Sequence, residues 1–254
     1  MVDNLFFDIT IYLRYLPSIL ISIINFCICI FAIKILCDKF QYAGLCCYMV
    51  LSSIIANIQI LYATSYEFLN TEVLLGTVIF CSSFLACDII NSKYGPEKAR
   101  QALYLTFVTD LFFLANIILT IGHRPIDYSQ YPNFSISKNV MEKNMEAINT
   151  IFLPVPRLLI SSYITYFISQ ISEIWLFNAI KKLNFLKFEY VKHNISLFIL
   201  SIFIDTLIFT SLGLCLMATE PLSLHDFWKI CYSTLIIRVI CNLGNTFSMK
   251  FFKK

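Results

Sequence analysis

Seven long apolar runs, separated by short polar joints, make up most of the chain. A helix crossing a hydrocarbon core of about 30 Å needs about 20 residues. The runs at 16–37, 45–62, 72–91, 103–122, 155–180, 195–218 and 227–249 reach or approach that length. The second is the shortest, interrupted by Asn57 and Gln59, and is the one to suspect of re-entry. Each run is apolar around most of its circumference, so no hydrophobic stripe fixes its rotation. The joints at 38–44, 92–102 and 181–194 are brief and polar. The outer loop 123–154 is long, and Pro125, Pro132, Pro154 and Pro156 are expected to limit its regular structure. The pattern predicts an all-α integral membrane protein: one domain over residues 1–254, a polytopic bundle of about seven helices.

Composition agrees with that pattern. The chain is 58% hydrophobic and 14% charged with mean hydropathy +0.74, where soluble domains are about a quarter charged. A soluble enzyme is excluded. The net charge of +3 is spread over several loops, and no basic cluster interleaved with aromatics suggests nucleic acid. Met1 to Leu16 holds Asp3, Asp8 and Arg14 and lacks a basic start, so no cleavable signal is expected there. Seven of the ten cysteines (Cys27, Cys29, Cys81, Cys87, Cys215, Cys231 and Cys241) sit within apolar runs, while Cys37, Cys46 and Cys47 flank a joint. No Cys-x-x-Cys pair occurs, so these read as small buried side chains, and neither metal nor cofactor is expected.

Basic residues orient the spans. With the N-terminus outside, the inner side receives Lys34, Lys39, Lys93, Lys98, Arg100, Lys181, Lys182, Lys187, Lys192, Lys250, Lys253 and Lys254. The outer side receives Arg14, Arg124, Lys138 and Lys143. Twelve against four favours N-out, C-in with seven helices.

Several runs nonetheless hold an ionisable residue: Asp88, Asp110, Glu173, Asp205 and Arg238, with Arg157 nearer an end. A charge at the bilayer centre costs about 2.5–3.5 kcal/mol even on lenient insertion scales. These residues should therefore face a shared interior and pair with one another or with polar cargo, which points to a transporter or channel. Asp205 and Arg238 fall near the middles of the sixth and seventh runs, where they could form a mutually compensating pair.

The segment FLACDIINSKYGPEKARQA at 84–102 carries a further signal. With PRLLISSYITYFISQISEIWLFNAIK at 156–181, SIFIDTLIFTSLG at 201–213 and IIANIQ at 54–59, it resembles the YhhQ-type queuosine precursor transporter family, also described as vitamin uptake transporters. The resemblance covers about residues 45–250. Two positions depart from the family pattern: Glu173 stands where Asp is usual, and Arg238 where the last helix usually carries Lys. Arg offers a rigid fork and Lys a point charge, so the two bind differently.

The resemblance implies import of 7-deazaguanine bases, either the cyano and aminomethyl precursors of queuosine or queuine itself, across the bacterial inner membrane for tRNA modification. Such a base presents a ring N–H beside an exocyclic amine, which a carboxylate can accept in a fork, plus a carbonyl for Arg or Gln. The expected substrate-binding residues are Asp88, Asn91, Arg157, Gln170, Glu173, Asp205 and Arg238, with Asp88 or Asp205 on the donor edge. Tyr163, Tyr166 or Phe84 would stack on the ring.

Each assignment has a structural alternative. Asp88 could cap an inner helix end near Lys93; Arg157 could snorkel outward; Asp205 and Arg238 could be purely architectural. Asp110 reads first as an inward polar helix contact. The triplets formed by the second to fourth and fifth to seventh spans hint at an inverted repeat. Other functions stay open: a membrane subunit borrowing an ATPase, for which no docking motif is evident, or a carrier of another small polar heterocycle. No Walker A motif occurs. An intramembrane enzyme would need a nucleophile with a base or a metal cluster, and no His lies within a span.

Overall fold

A sharp reversal opens the fold. In the computed structural model, which describes residues 10–66, 71–124, 138–152, 155–182, 206–208, 210–211 and 223–252, helix α1 (Ser18–Gln59) is interrupted at Gln41, whose φ of 51° and ψ of −127° are not helical. The two limbs, α1a (18–40) and α1b (42–59), fold back on one another: Cys29 lies in reach of Tyr48, and Asn25 lines the same hollow as Gln59. The polar joint expected at 38–44 is therefore a one-residue break. Lys34 and Asp38 form an ion pair on the helix surface beside it (3.0 Å), so polarity there marks a helix end at the membrane surface, not a loop.

A two-stranded antiparallel hairpin follows, β1 (Ala63–Tyr66) with β2 (Thr71–Leu74), in the register Ala63 opposite Leu74. The hairpin corrects the all-α expectation and shortens the third span, which was expected to begin at Glu72. The physical reason is local: Thr64, Tyr66, Thr71 and Val73 favour strands. The hairpin is also tied to the start of α1a, where Thr64 donates to Ser18 Oγ (3.0 Å) and the Ser22 and Tyr66 hydroxyls share a 2.6 Å hydrogen bond.

Helix α2 (Gly76–Tyr94) is the hub. It packs against α1, α3 (Pro96–Gly122), α5 (Val155–Lys182) and α6 (Leu224–Ser248). Most of its length is buried, including Ser82, Ser83, Leu85, Ala86, Cys87 and Ile90. Small residues let neighbouring backbones approach closely, the usual way membrane helices pack. Three described helical stretches are long and apolar enough to cross a membrane: Ser18–Gln59, Pro96–Gly122 and His225–Phe252. α2 is not among them, and its polarity fits its position, since its neighbours screen it from lipid. The aliphatic side chains of α1 and α3, among them Ile23, Ile28, Val108 and Leu119, are exposed instead.

The joint at 92–102 is again nearly helical. Gly95 alone breaks it, with φ 88° and ψ 169°, and Pro96 starts α3. That backbone region is essentially restricted to glycine, and proline suits the first helical turn. The long loop expected at 123–154 also holds more structure than expected: α4 (Lys138–Phe152) forms within it, because the four prolines flank this stretch and do not interrupt it. The short helical pieces at 206–208 and 210–211 lie within the expected sixth span; the rest of 195–218 lies outside the described residues. α6 ends in a 3-10 turn, Met249–Phe252.

Candidate functional site

A narrow cleft of about 30 Å³ lies where α1b, the end of β2, the start of α2, α5 and α6 converge. Its polar lining comes from Asn57, Thr77, Ser162, Thr234 and Arg238, with Phe80 as its aromatic member. Ligand sites are commonly lined this way, mostly apolar with a few placed polar groups; at this volume the cleft holds a water-sized group and has to widen to admit a base. Gly76 makes the cleft's tightest wall. A Cβ there would collide with the Ala56 carbonyl oxygen, so only glycine lets α1b and α2 meet at this point.

Arg238 is the cleft's charged group. It is 5% exposed, its guanidinium carbon stands 5.2 Å from the Phe80 ring centroid, and it donates to Thr206 Oγ1 at 3.4 Å. A cation over an aromatic face is partly compensated for its lost hydration. Phe80 is held from behind by rings at right angles to it, Phe84 at 5.1 Å and Tyr166 at 5.4 Å. The Tyr166 hydroxyl shares a 2.7 Å hydrogen bond with Ser83. Asn57 is turned back on its own helix, donating to the Ser53 carbonyl at 2.9 Å. Its amide oxygen is left for another partner.

Of the residues singled out from sequence, Arg238 lines this cleft. Asp205 lies outside the described residues, but its neighbour Thr206 bonds to Arg238. Asp88 and Asn91 sit on the C-terminal half of α2, eight and eleven residues beyond Phe80, or about 12 and 16 Å along the axis at about 1.5 Å per residue. Asn91 is buried, and its amide oxygen has no hydrogen-bond partner among the described residues. Arg157, Gln170 and Glu173 lie on α5 with their side chains outside the described set. Of the stacking candidates, Phe84 and Tyr166 brace Phe80, and Tyr163 belongs to a separate cluster with Leu114. Phe80, Thr77, Ser162 and Thr234 were not singled out from sequence. Hydroxyls and rings are too common in this chain for spacing to distinguish them; it has 24 Phe and 14 Tyr.

A second polar cluster lies deeper. Asp110 on α3 is 1% exposed and accepts a 2.6 Å hydrogen bond from Ser53 of α1b. A wider hollow, about 270 Å³, lies against α1a; beyond Ser22, Asn25 and Gln59 its lining is aliphatic. Among the described residues no group of three or more His, Cys, Asp or Glu side chains could hold a metal ion, and the nine described cysteines are free thiols.

Long apolar helices around a polar hub, with a cleft holding a buried cation, define a multi-pass membrane protein of the transporter class. The family model described as "Putative vitamin uptake transporter" matches residues 74–251, and the chain belongs to that family. It is also 28% identical, over 224 residues, to a Bacillus subtilis (strain 168) protein named "Probable queuosine precursor transporter", covering 87% of this chain and 88% of the relative. No solved structure matches.

Proposed function

We propose that this protein imports queuosine precursors, 7-cyano- or 7-aminomethyl-7-deazaguanine or queuine, through the cleft floored by Arg238. The observation that carries the reading is the pairing of Arg238 with Phe80 in that cleft. A flat purine-like base needs a rigid donor fork for its carbonyl, which Arg238 supplies while the Phe80 ring beneath the guanidinium holds the fork in place. Asn57 can accept from the base's amine, and Asp205 belongs on the same donor edge, beside Thr206. The relative's name supports this cargo.

The finer architecture belongs to the same reading. Seven spans in one domain, N-out and C-in, place the cleft toward the outer face, because α2 runs inward from Gly76 to the Lys93 end. Arg157 then stands at the outer mouth. Asp88, Asn91, Gln170 and Glu173 line the inner half of the path, and α1b–α3 and α5–α6 form the two halves of an inverted repeat. The site is the inner membrane of a bacterium, and the carrier needs no cofactor or metal.

The test is complementation. A bacterial strain lacking both queuosine synthesis and its own transporter is supplied with each base, and tRNA queuosine is measured. Modification restored by the wild type and lost in Arg238→Gln, at equal membrane abundance, supports the reading. No restoration with any of the three bases removes it.

A further inference from the structure

Asp110 is buried within the bundle, yet no cation among the described residues pairs with it. The ion pairs found there, Lys34–Asp38 and Arg100–Glu97, are both on the surface. Ser53 donates to one carboxylate oxygen at 2.6 Å. The other oxygen has no hydrogen-bond partner among the described residues, and neither has the hydroxyl of Tyr163, itself 1% exposed. The two groups are within electrostatic reach of each other. Around Tyr163 the packing is apolar, with Leu114, Phe107, Phe113 and Phe152. A carboxylate kept for architecture is normally paired and fully hydrogen-bonded. This one has an incomplete shell suited to a group that changes charge.

The cluster is one helical turn from the cleft on two sides. Asn57, which lines the cleft, donates to the carbonyl of Ser53, whose hydroxyl holds Asp110. Ser162, also in the lining, precedes Tyr163. The cluster joins α1b, α3 and α5, so it bridges the two halves that the proposed repeat would rock against each other. Any shift of Asn57 or Ser162 on base binding is therefore felt at Asp110.

We infer that Asp110 is the proton-carrying residue of transport, taking up one proton when the cleft faces outward and releasing it inward. The step balances simply. A proton from the outer aqueous phase adds to the carboxylate, neutralises it for the passage, and leaves to the cytoplasm as the same proton. The neutral acid fits its surroundings, with Ser53 donating to one oxygen and the apolar packing around Tyr163 favouring an uncharged group. Asp88 is a second carboxyl shielded from solvent, within α2; the other titratable groups on the packed helices lie toward the ends or on the surface: Lys93 on α2, Glu97, Lys98 and Arg100 on α3, and Lys34, Asp38 and Lys39 on α1. Glu142, Lys143 and Glu146 belong to the exposed face of α4. The side chains of Arg157 and Glu173 on α5 lie outside the described set.

The inference rests on the transport reading, and two measurements separate them. In proteoliposomes of the full chain, radiolabelled 7-aminomethyl-7-deazaguanine is followed as accumulation under an inward proton gradient and as exchange without one. Wild type accumulates, and Asp110→Asn loses at least tenfold of the accumulation while its exchange stays within about threefold. Ser53→Ala keeps the carboxylate but removes its donor, and moves the pH profile of accumulation toward higher pH. Undiminished accumulation by Asp110→Asn, or accumulation driven by a sodium gradient instead, overturns the inference. The second measurement needs no base: difference infrared spectra of wild type and Asp110→Asn on titration of the outer medium. A protonated-carboxyl band lost in the variant supports proton uptake at Asp110, even if the base itself is not carried. No such band overturns it.

Discussion

Arg238 and Asp110, the basic and the acidic side chain most withdrawn from solvent among the described residues, are compensated differently. Arg238 borders a cleft, lies over Phe80 and bonds to Thr206. Asp110 is buried with one hydroxyl donor and a second oxygen that has no partner among the described residues. Arg cannot lose its proton under ordinary conditions, so the fold must supply a lasting environment for it. A carboxylate can be neutralised, so an incomplete shell around it is tolerable if it is protonated for part of a cycle. The difference separates a group that binds from a group that switches.

Mutations that break one region while sparing the other sharpen that comparison. The largest effect is expected at Arg238. A hydrogen bond to a charged group contributes about 1.5–3 kcal/mol, so Arg238→Gln should weaken base affinity by about 10- to 100-fold. Exchange and accumulation should fall together. Asp110→Asn should instead split them, losing accumulation alone. Phe80→Ala comes next. Loss of the cation–π contact at about 1 kcal/mol predicts about fivefold weaker binding, read by competition against the labelled base. Gly76→Ala acts on the cleft wall through its collision with the Ala56 carbonyl. It should lower the thermal stability of the detergent-solubilised protein by about 1–3 kcal/mol. Gln41→Gly lies far from both regions and relieves the positive φ at the reversal. It should raise the apparent melting temperature slightly, by about 1 kcal/mol of stability, and leave transport unchanged.

The long apolar helices at Ser18–Gln59, Pro96–Gly122 and His225–Phe252 were legible because length and apolarity are one-dimensional properties. Where the sequence reading erred, the competing signal was local. The joints at 38–44 and 92–102 were read as loops because polar residues cluster there, yet each break takes a single residue, Gln41 or Gly95. The hairpin was lost in a short mixed stretch whose strands have four residues each. Helix α4 was lost because prolines were counted over the whole outer loop, although none falls between 138 and 152. Arg238 was visible as a cation inside an apolar run. Phe80 was not, since only helix packing decides which of many rings faces a cleft. Asp110 was visible, but its setting was not, because Ser53 and Tyr163 are both more than fifty residues away in sequence.

The most direct test of the central claim is equilibrium binding of labelled 7-aminomethyl-7-deazaguanine to the purified protein, comparing wild type, Arg238→Gln and Asp110→Asn. The account predicts saturable binding by wild type, displaced by unlabelled 7-cyano-7-deazaguanine or queuine. It also predicts a loss of about 10- to 100-fold in Arg238→Gln and near-normal binding in Asp110→Asn. Equal binding by wild type and Arg238→Gln would contradict it, because the base would then be held somewhere other than the cleft that Arg238 floors.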